Sequence, residues 1–487
     1  MDISITAIGQ NKGTARVWLQ GNTLTRAGFE PRTKYTVLSQ NGAIVLTRTD
    51  DGVKLREVSS RKKNEREVPI IDINNAELAA MFEGLSHVRV VFQPGEISIL
   101  PLSTEIRAKE RLDDAVAKME AGEPLAFGSL AHGGGILSHA LEVGFQEEDL
   151  TAELAFSNEH REDLTDHAMS HNGAWSPRTV SLQGPMQEFA FDEWVLRQLG
   201  RVNVLEAGLP CSGASVAGRA KRGLTHAEAH PEVGHLVVAF LAIIARVNPA
   251  VVILENVPQY QNTASMDILR NQLRDMRYDV HETVVDGADW NALEHRKRMV
   301  MVAVTRGMSF DFANLQKPVR VERKLSDILE NIPLDAPCWS KMEGLKAKEI
   351  RDAAAGKSFA MQIFDGSSTK IATLTKGIGK NRSTDPKIRH STNPDLLRIP
   401  TPREHARAKD IPESLVEGLC ATTAHELLGQ SVNYRPFVSV GRLVARSFRT
   451  LLATSPLVNS GTPTLLADAV IAKARREAER LSRLKMH

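Results

Sequence analysis

Three segments carry side chains whose types and spacing could do chemistry. In VNVLEAGLPCSGASVAGRAKRGL (202–224) an apolar run leads into Pro210-Cys211, and a stretch rich in Gly and Ser follows. In NPAVVILENVPQY (248–260) a second apolar run ends in Glu255-Asn256. In EHRKRMVMVAV (294–304) Arg296 and Arg298 precede a third. Ligands of open α/β sheets bind where strands end, so a thiol there is placed for nucleophilic attack. A carboxylate at such an end could act as a general acid, and arginines spaced by one residue on a strand face one side. Each also has a plainer reading. A lone cysteine is more often interior and inert. The carboxylate could be a solvated strand end, and the arginines a solvated edge.

These segments sit in a longer alternation. After Pro124, the runs LAFGSL, LAFSNE, VNVLEAGLP, AVVILENV, VHETVVD and RMVMVAVT read as buried strands separated by helical stretches. That pattern implies a parallel sheet covered on both faces, over 123–308. Residues 1–100 are strand-rich, with ARVWLQG, KYTVLSQ, AIVLTRT and VRVVFQP as short β-branched runs. Asn-Gly at 41–42 and Asp-Gly at 51–52 mark turns, and SSRKKNEREV reads as an exposed loop. Residues 101–122 read as a charged linker helix ending at Gly122. Periodicity weakens over 309–395, where TLTKGIGKNRSTDPKIRH gathers basic residues. It returns over 396–450, and 451–487 reads as a helical tail whose end, 466–487, is basic and amphipathic. No internal repeat is apparent.

With 61 basic against 59 acidic residues, the chain has no global pull towards nucleic acid, so any basic surface must be local. Cys211, Cys338 and Cys420 lie too far apart in sequence for a disulfide framework or a zinc site, which fits a reducing cytoplasm. The N-terminus has no basic region followed by an apolar core, and so does not read as a signal peptide. The apolar run from Leu236 to Ala245 is too short to span a bilayer, so no membrane partner is expected.

Taken together, the motifs resemble the DNA cytosine-5 methyltransferase family. Pro210-Cys211 resembles its catalytic Pro-Cys, followed by Ser215, Gly218 and Gly223. Glu255-Asn256-Val257 is similar to its Glu-Asn-Val. Arg296-x-Arg298 is similar to the arginines of its Gln-x-Arg-x-Arg, and Gly429-Gln-Ser431-Val432 to its Gly-Asn-Ser-Val. RIPTPREHARAKDIP (398–412) resembles its Arg-x-Leu-Thr-x-x-Glu-x-x-Arg, with Arg398, Thr401, Glu404 and Arg407 in register. Ser212, Glu294 and Pro400 depart from the family's Gln, Gln and Leu.

The resemblance implies a Rossmann-like α/β methyltransferase fold. Its mixed sheet would carry helices on both faces, beside a small target-recognition domain over 309–395 and a β-rich N-terminal domain. It implies S-adenosyl-L-methionine as methyl donor and a flipped cytosine in duplex DNA as substrate. Cys211 would attack C6, Glu255 would hold or protonate N3, Arg298 would bind O2, and Arg296 would support the cysteine loop or a phosphate.

For the cofactor, FGSLAHGGGILSHALEVGF (127–145) joins a strand, a glycine cluster and a helix, which lets backbone amides approach a ligand. By the resemblance Phe127, Gly128, Gly133, Gly135, Pro210, Ser431 and Val432 would line that site. Glu159, at the end of the next strand, would bind the ribose hydroxyls. The family's adenine-binding acid is not evident near SLQGPMQEF.

Ser215, Lys376, Lys380, Arg382, Thr401 and Arg407 are the expected DNA contacts, chiefly to phosphates. Residues 17–47 resemble swapped-hairpin, AbrB-like DNA-binding domains, with Gly28-Phe29-Glu30-Pro31 matching their turn and Arg32 in place of its second glycine. That resemblance implies a homodimer through residues 1–100. A cognate restriction endonuclease and a cytoplasmic, nucleoid-associated setting complete the expectation. The competing readings are a tRNA cytosine-5 methyltransferase, a DNA-binding regulator that uses the fold as a scaffold, and a cysteine hydrolase. No motif supplies the last with a histidine beside Cys211.

Overall fold

The computed structural model describes residues 1–455 apart from 12–13, 41, 64–65, 75–80, 83–84, 212 and 215–221. They form two units, Met1–Glu110 and Arg111–Ser455, divided inside the helix Ser103–Ala121. The basic helix expected over 466–487 lies outside the described residues.

In the first unit, β-branched residues alternate with polar ones, and the alternation buries one face of a nine-stranded antiparallel sheet. The strands are β1 (Asp2–Asn11), β2 (Thr14–Gln20), β3 (Lys34–Gln40), β4 (Ala43–Arg48), β5 (Arg56–Glu57), β6 (Ser59–Lys63), β7 (Arg66–Ile73), β8 (His87–Gln93) and β9 (Glu96–Pro101). Their order is β5-β3-β4-β9-β8-β1-β2-β7-β6. SSRKKNEREV, expected as a loop, instead supplies β6 and the start of β7. β6 is an edge strand, and lysine and arginine there discourage further pairing.

The pairings also repeat, although no repeat shows in the sequence. Ile8↔Val17 has its counterpart in Ser60↔Pro69, and Val37↔Leu46 in Val90↔Ile99. The halves join through β2 with β7, β4 with β9 and β1 with β8. Alternation alone sets such a topology, so the two halves need not keep residue identity. Arg32, standing where the turn motif has glycine, adopts φ 71°, the left-handed conformation that glycine favours.

The second unit is built on β10 (Leu125–Leu130), β11 (Ala152–Glu159), β12 (Val180–Gln183), β13 (Val204–Ala207), β14 (Val251–Asn256), β15 (Tyr278–Asp286) and β16 (Lys297–Thr305). Their order is β12-β11-β10-β13-β14-β16-β15. The first five are parallel, whereas β16 runs antiparallel to both β14 and β15. The sheet is therefore mixed, as the family resemblance implied, and not parallel throughout as the apolar runs alone suggested. The chain winds outward from β10 to β12, then returns to β13 on the other side of β10. This reversal opens a crevice at the carboxyl ends of β10 and β13.

Helices close the sheet. Ile136–Gln146 crosses Tyr434–Thr454 through small residues. A Cβ on Gly144 would lie 2.3 Å from the Val438 carbonyl oxygen, and one on Gly441 would lie 2.4 Å from that of Leu141. The expected linker helix is more than a linker. From Arg111 on it belongs to this unit, with the Arg111 guanidinium 3.9 Å from the Tyr278 ring centroid and 2.7 Å from the Met276 carbonyl.

Residues 309–395 are largely irregular around their own apolar cluster. Leu325, Ile328, Leu374, Ile378 and Ile388 pack there with Leu293 and Ala408. A small sheet, β17 (Ile363–Phe364), β18 (Lys387–Arg389) and β19 (Leu397–Arg398), carries this region on to Arg398. Replacing Gly441 by Ala should overpack the helix crossing and cost about 1–3 kcal/mol. Chemical denaturation of the two proteins measures this.

Candidate active site

Cys211, Glu255 and Arg298 lie at one edge of the sheet because of strand direction. Cys211 follows β13 and Glu255 ends β14, its parallel neighbour, so both lie at the same edge. β16 runs antiparallel to β14, so its beginning lies beside the end of β14. There the Arg298 Nε stands 2.6 Å from Glu255 Oε1. Burial pushes the Glu255 carboxyl up from the ordinary range, against the pull of Arg298 and Arg296. Asn256 is almost wholly buried, and its Nδ2 donates to the Leu209 carbonyl at 3.1 Å. It thereby fixes the backbone two residues before Cys211. Gly213 admits the Ala227 carbonyl, which would lie 2.6 Å from an added Cβ. Cys211 is half-buried and Pro210 exposed.

Of the two roles expected of Arg296, support of the cysteine loop or a phosphate contact, burial excludes the second. Its Nη2 donates to the Gly429 carbonyl at 2.9 Å. It still interacts electrostatically with Cys211 and Glu255.

The crevice beside these groups has the features of a cofactor cradle. Ala131, Gly133 and Gly135 all take positive φ, and a Cβ on Gly133 would meet nothing within 4 Å. Gly133 N–H donates to Glu159 Oε2 at 2.6 Å, and Arg161 N–H to Oε1 at 3.0 Å. Glu159 thus stands at the glycine turn, as its sequence position implied. Open backbone at a strand end beside a carboxylate fits a nucleoside carrying ribose hydroxyls. Phe127 and Gly128 are corrected. Both lie within β10 rather than on the turn. Phe127 packs edge-on against Phe145, centroids 5.0 Å apart, and a Cβ on Gly128 would strike Phe156 at 2.5 Å. Ser431 Oγ donates to the Leu428 carbonyl at 2.7 Å, while Val432 is buried.

A polar network under the turn was not legible in the sequence. Glu206 Oε1 accepts from the Ser129 and Ser138 hydroxyls. Trp175 Nε1–H, 3.1 Å from His132 Nε2, can only donate, so the neutral His132 carries its proton on Nδ1, 2.8 Å from Ser129 Oγ. Burial holds His132 down to about 4 and pushes Glu206 up to about 7. Each of these residues looks ordinary in sequence. Only the unusual acid inside an apolar strand could have drawn notice.

The expected DNA contacts divide. Lys376 and Lys380 are exposed. Arg382 is engaged by Asp385 at 2.8 Å and by the Thr375 hydroxyl. Thr401 and Arg407 are corrected to structural roles. Thr401 caps the helix Pro402–Ala408, and its hydroxyl donates to Glu330. Arg407 pairs with Glu413 at 2.7 Å and donates to the Ile328 carbonyl. Arg398 and Glu404 form a buried two-pronged ion pair at 2.6 and 2.7 Å. Ser215 lies outside the described residues.

Residues 180–442 match the family of C-5 cytosine-specific DNA methylases. The chain belongs to that family. Among relatives, the Type II methyltransferase M1.ScrFI of Lactococcus lactis subsp. cremoris is 26% identical over 237 residues, 47% of this chain and 59% of that protein. M.MspI of Moraxella sp is 26% identical over 268 residues, 53% of this chain and likewise 59% of its own length. This chain thus spans somewhat more than half the length of each. In fold, it resembles the Dnmt2 methyltransferase of S. pombe, with a TM-score of 0.52 and 16% identity. The likeness covers 68% of this chain and 99% of that one. The methyltransferase EhMeth of Entamoeba histolytica aligns with the same TM-score and 15% identity, over 68% and 99% of the two chains. Members of the family take their methyl group from S-adenosylmethionine, which suits the cradle. Among the described residues no helix is long and apolar enough to cross a membrane, and no cluster of His, Cys, Asp and Glu could hold a metal.

Glu206 makes this protein's stability depend on pH. Its folded value of about 7 exceeds the ordinary 4.5, so the folded state binds the proton more tightly than the unfolded chain. The cost of ionising it is absent below the lower value and complete above the higher. Relative to wild type, Glu206→Gln should therefore gain stability as pH rises through that window, by up to about 3 kcal/mol. Urea denaturation at pH 4.5 and pH 8 measures the difference. An unchanged difference between the two pH values would contradict it.

Proposed function

We propose that this chain is a DNA (cytosine-5-)-methyltransferase acting on a cytosine flipped out of duplex DNA. The observation that carries the reading is the Arg298–Glu255 pair at the strand edge that also bears Cys211, beside the glycine turn and Glu159. Cytosine C5 is a poor nucleophile. Cys211, as thiolate, adds to C6 and shifts the C5–C6 π electrons onto C5. Glu255, its proton affinity raised by burial, holds or supplies the proton at N3, while Arg298 offsets charge at O2. S-adenosylmethionine supplies an electrophilic methyl group to C5 when bound. Water removes the C5 proton, the C5–C6 double bond reforms, and the thiolate leaves.

Glu159 and the turn of Gly133 and Gly135 would hold the ribose and adjoining part of the cofactor, with Pro210, Ser431 and Val432 nearby. Residues 309–398 would read the target, with Lys376 and Lys380 at phosphates. The Type II names of the relatives support a bacterial restriction–modification setting, with a cognate endonuclease as companion.

The test uses tritiated S-adenosylmethionine with cytosine-containing duplex DNA or tRNA. Duplex DNA should take up label, and Cys211→Ser should reduce that uptake by at least about a thousandfold, the scale on which removing a nucleophile acts. Label transfer that survives the substitution overturns the mechanism. Transfer to tRNA alone, or to neither, overturns the proposed substrate or the activity.

A further inference from the structure

Glu294 is an oddity in the arginine motif: a carboxylate where the resemblance calls for a glutamine, and wholly buried. An isolated buried carboxylate is costly, so something must compensate it. The partner is Lys409, equally buried, whose Nζ lies 3.3 Å from Glu294 Oε2. We infer that Glu294 and Lys409 act together as a positioning pair that holds Arg296, and through it the cysteine side of the site. The inference rests on the proposed methyl-transfer reading.

The geometry links this pair to three parts of the molecule. First, Lys409 Nζ donates to the Leu428 carbonyl, and Arg296 Nη2 donates to the next carbonyl, that of Gly429. These are late carbonyls of the helix Ala421–Gln430, where the helix dipole is negative, and that of Leu428 also accepts from Ser431. Two cations at one helix end repel each other, and Glu294 lies between them. Its Oε1 is 3.6 Å from Arg296 Nη1, and its Oε2 faces Lys409. Second, Glu294 Oε1 accepts the Leu374 N–H at 3.0 Å, which ties the pair to the segment bearing Lys376 and Lys380. A Cβ on Gly429 would lie 2.0 Å from the Lys376 nitrogen, so that segment also abuts the same helix end. Third, Arg296 interacts with Cys211, Glu255 and Arg298.

The pair therefore sits between the proposed recognition segment and the catalytic groups. Neither member touches the reacting atoms. If only one is made neutral, the other charge is left without its partner. Making both neutral removes the imbalance. Glutamine suits both positions, because its amide can still accept from Leu374 N–H at 294 and donate to Leu428 at 409. The charged and titratable groups facing Lys409 are Glu294, Arg296, Arg298, Glu255 and His405. Burial and the neighbouring arginines bring Lys409 down to about 7, so the pair loses its charge balance above neutral pH.

The test is a double-mutant cycle on the full-length protein: wild type, Glu294→Gln, Lys409→Gln and both together. Two quantities are read below the unfolding temperature of all four. One is kcat and KM for methyl transfer to duplex DNA. The other is the iodoacetamide alkylation rate of Cys211, followed by peptide mass spectrometry, with the exposed Cys338 and Cys420 as internal controls. Each single variant should lower kcat about tenfold and change the Cys211 alkylation rate about threefold, with the controls unmoved. The double variant should recover most of both losses. Additive losses, single variants without effect, or equal changes at all three cysteines overturn the inference. If wild type transfers no methyl group, the reaction reading fails, and the alkylation cycle still decides whether the pair positions the cysteine side.

Discussion

A carboxylate taken out of water must meet a positive charge or give up its own, and the active edge of this sheet is arranged around that constraint. Glu255 is buried at the end of β14 and Arg298 answers it at 2.6 Å. The pairing depends on the antiparallel insertion of β16. Were β16 parallel to β14, its first residues would lie at the opposite edge of the sheet. Removing one partner of such a buried pair typically costs about 3–5 kcal/mol, because a charge is left stranded. The mixed sheet is thus the condition under which an acid, a guanidinium and a thiol from three distant segments share one sheet edge.

The same constraint separates motif residues that act from those that hold. Arg398 and Glu404 satisfy each other out of solvent, and Thr401 and Glu404 close the start of a helix. Asn256 steadies the backbone before Cys211, and Arg296 caps a helix end. These contacts hold the framework around the strand edge that bears Cys211, Glu255 and Arg298. A motif recognised by spacing gives no hint of this division, since a buried arginine and a phosphate-binding arginine look alike in sequence.

Six of the seven strands in the main sheet of the second unit were legible because long apolar runs at a sheet's centre can be little else, whereas the short edge strand β12 was not. The sequence pattern also placed Cys211, Glu255 and Arg298, whose neighbours in the chain are the strands that present them. Four things were hidden. The direction of β16 depends on tertiary pairing, not on its own residues. The duplicated pairing of the first unit survives in alternation without shared identity. The cofactor turn was misassigned at Phe127 and Gly128 because the strand runs further, to Leu130, than the first glycine suggests. Buried networks such as Glu206 with Ser129 and Ser138, or Glu294 with Lys409, join residues far apart in sequence, and no local pattern announces them.

The central claim is that Cys211 attacks cytosine C6. It is tested most directly by incubating the protein with S-adenosylmethionine and a duplex containing 5-fluorocytosine. Fluorine at C5 cannot leave as a proton does, so the thiolate cannot be expelled after methylation. The account predicts a covalent protein–DNA adduct, mapped by mass spectrometry to the peptide carrying Cys211. Absence of any adduct from a protein that methylates ordinary cytosine, or an adduct at Cys338 or Cys420, would contradict it.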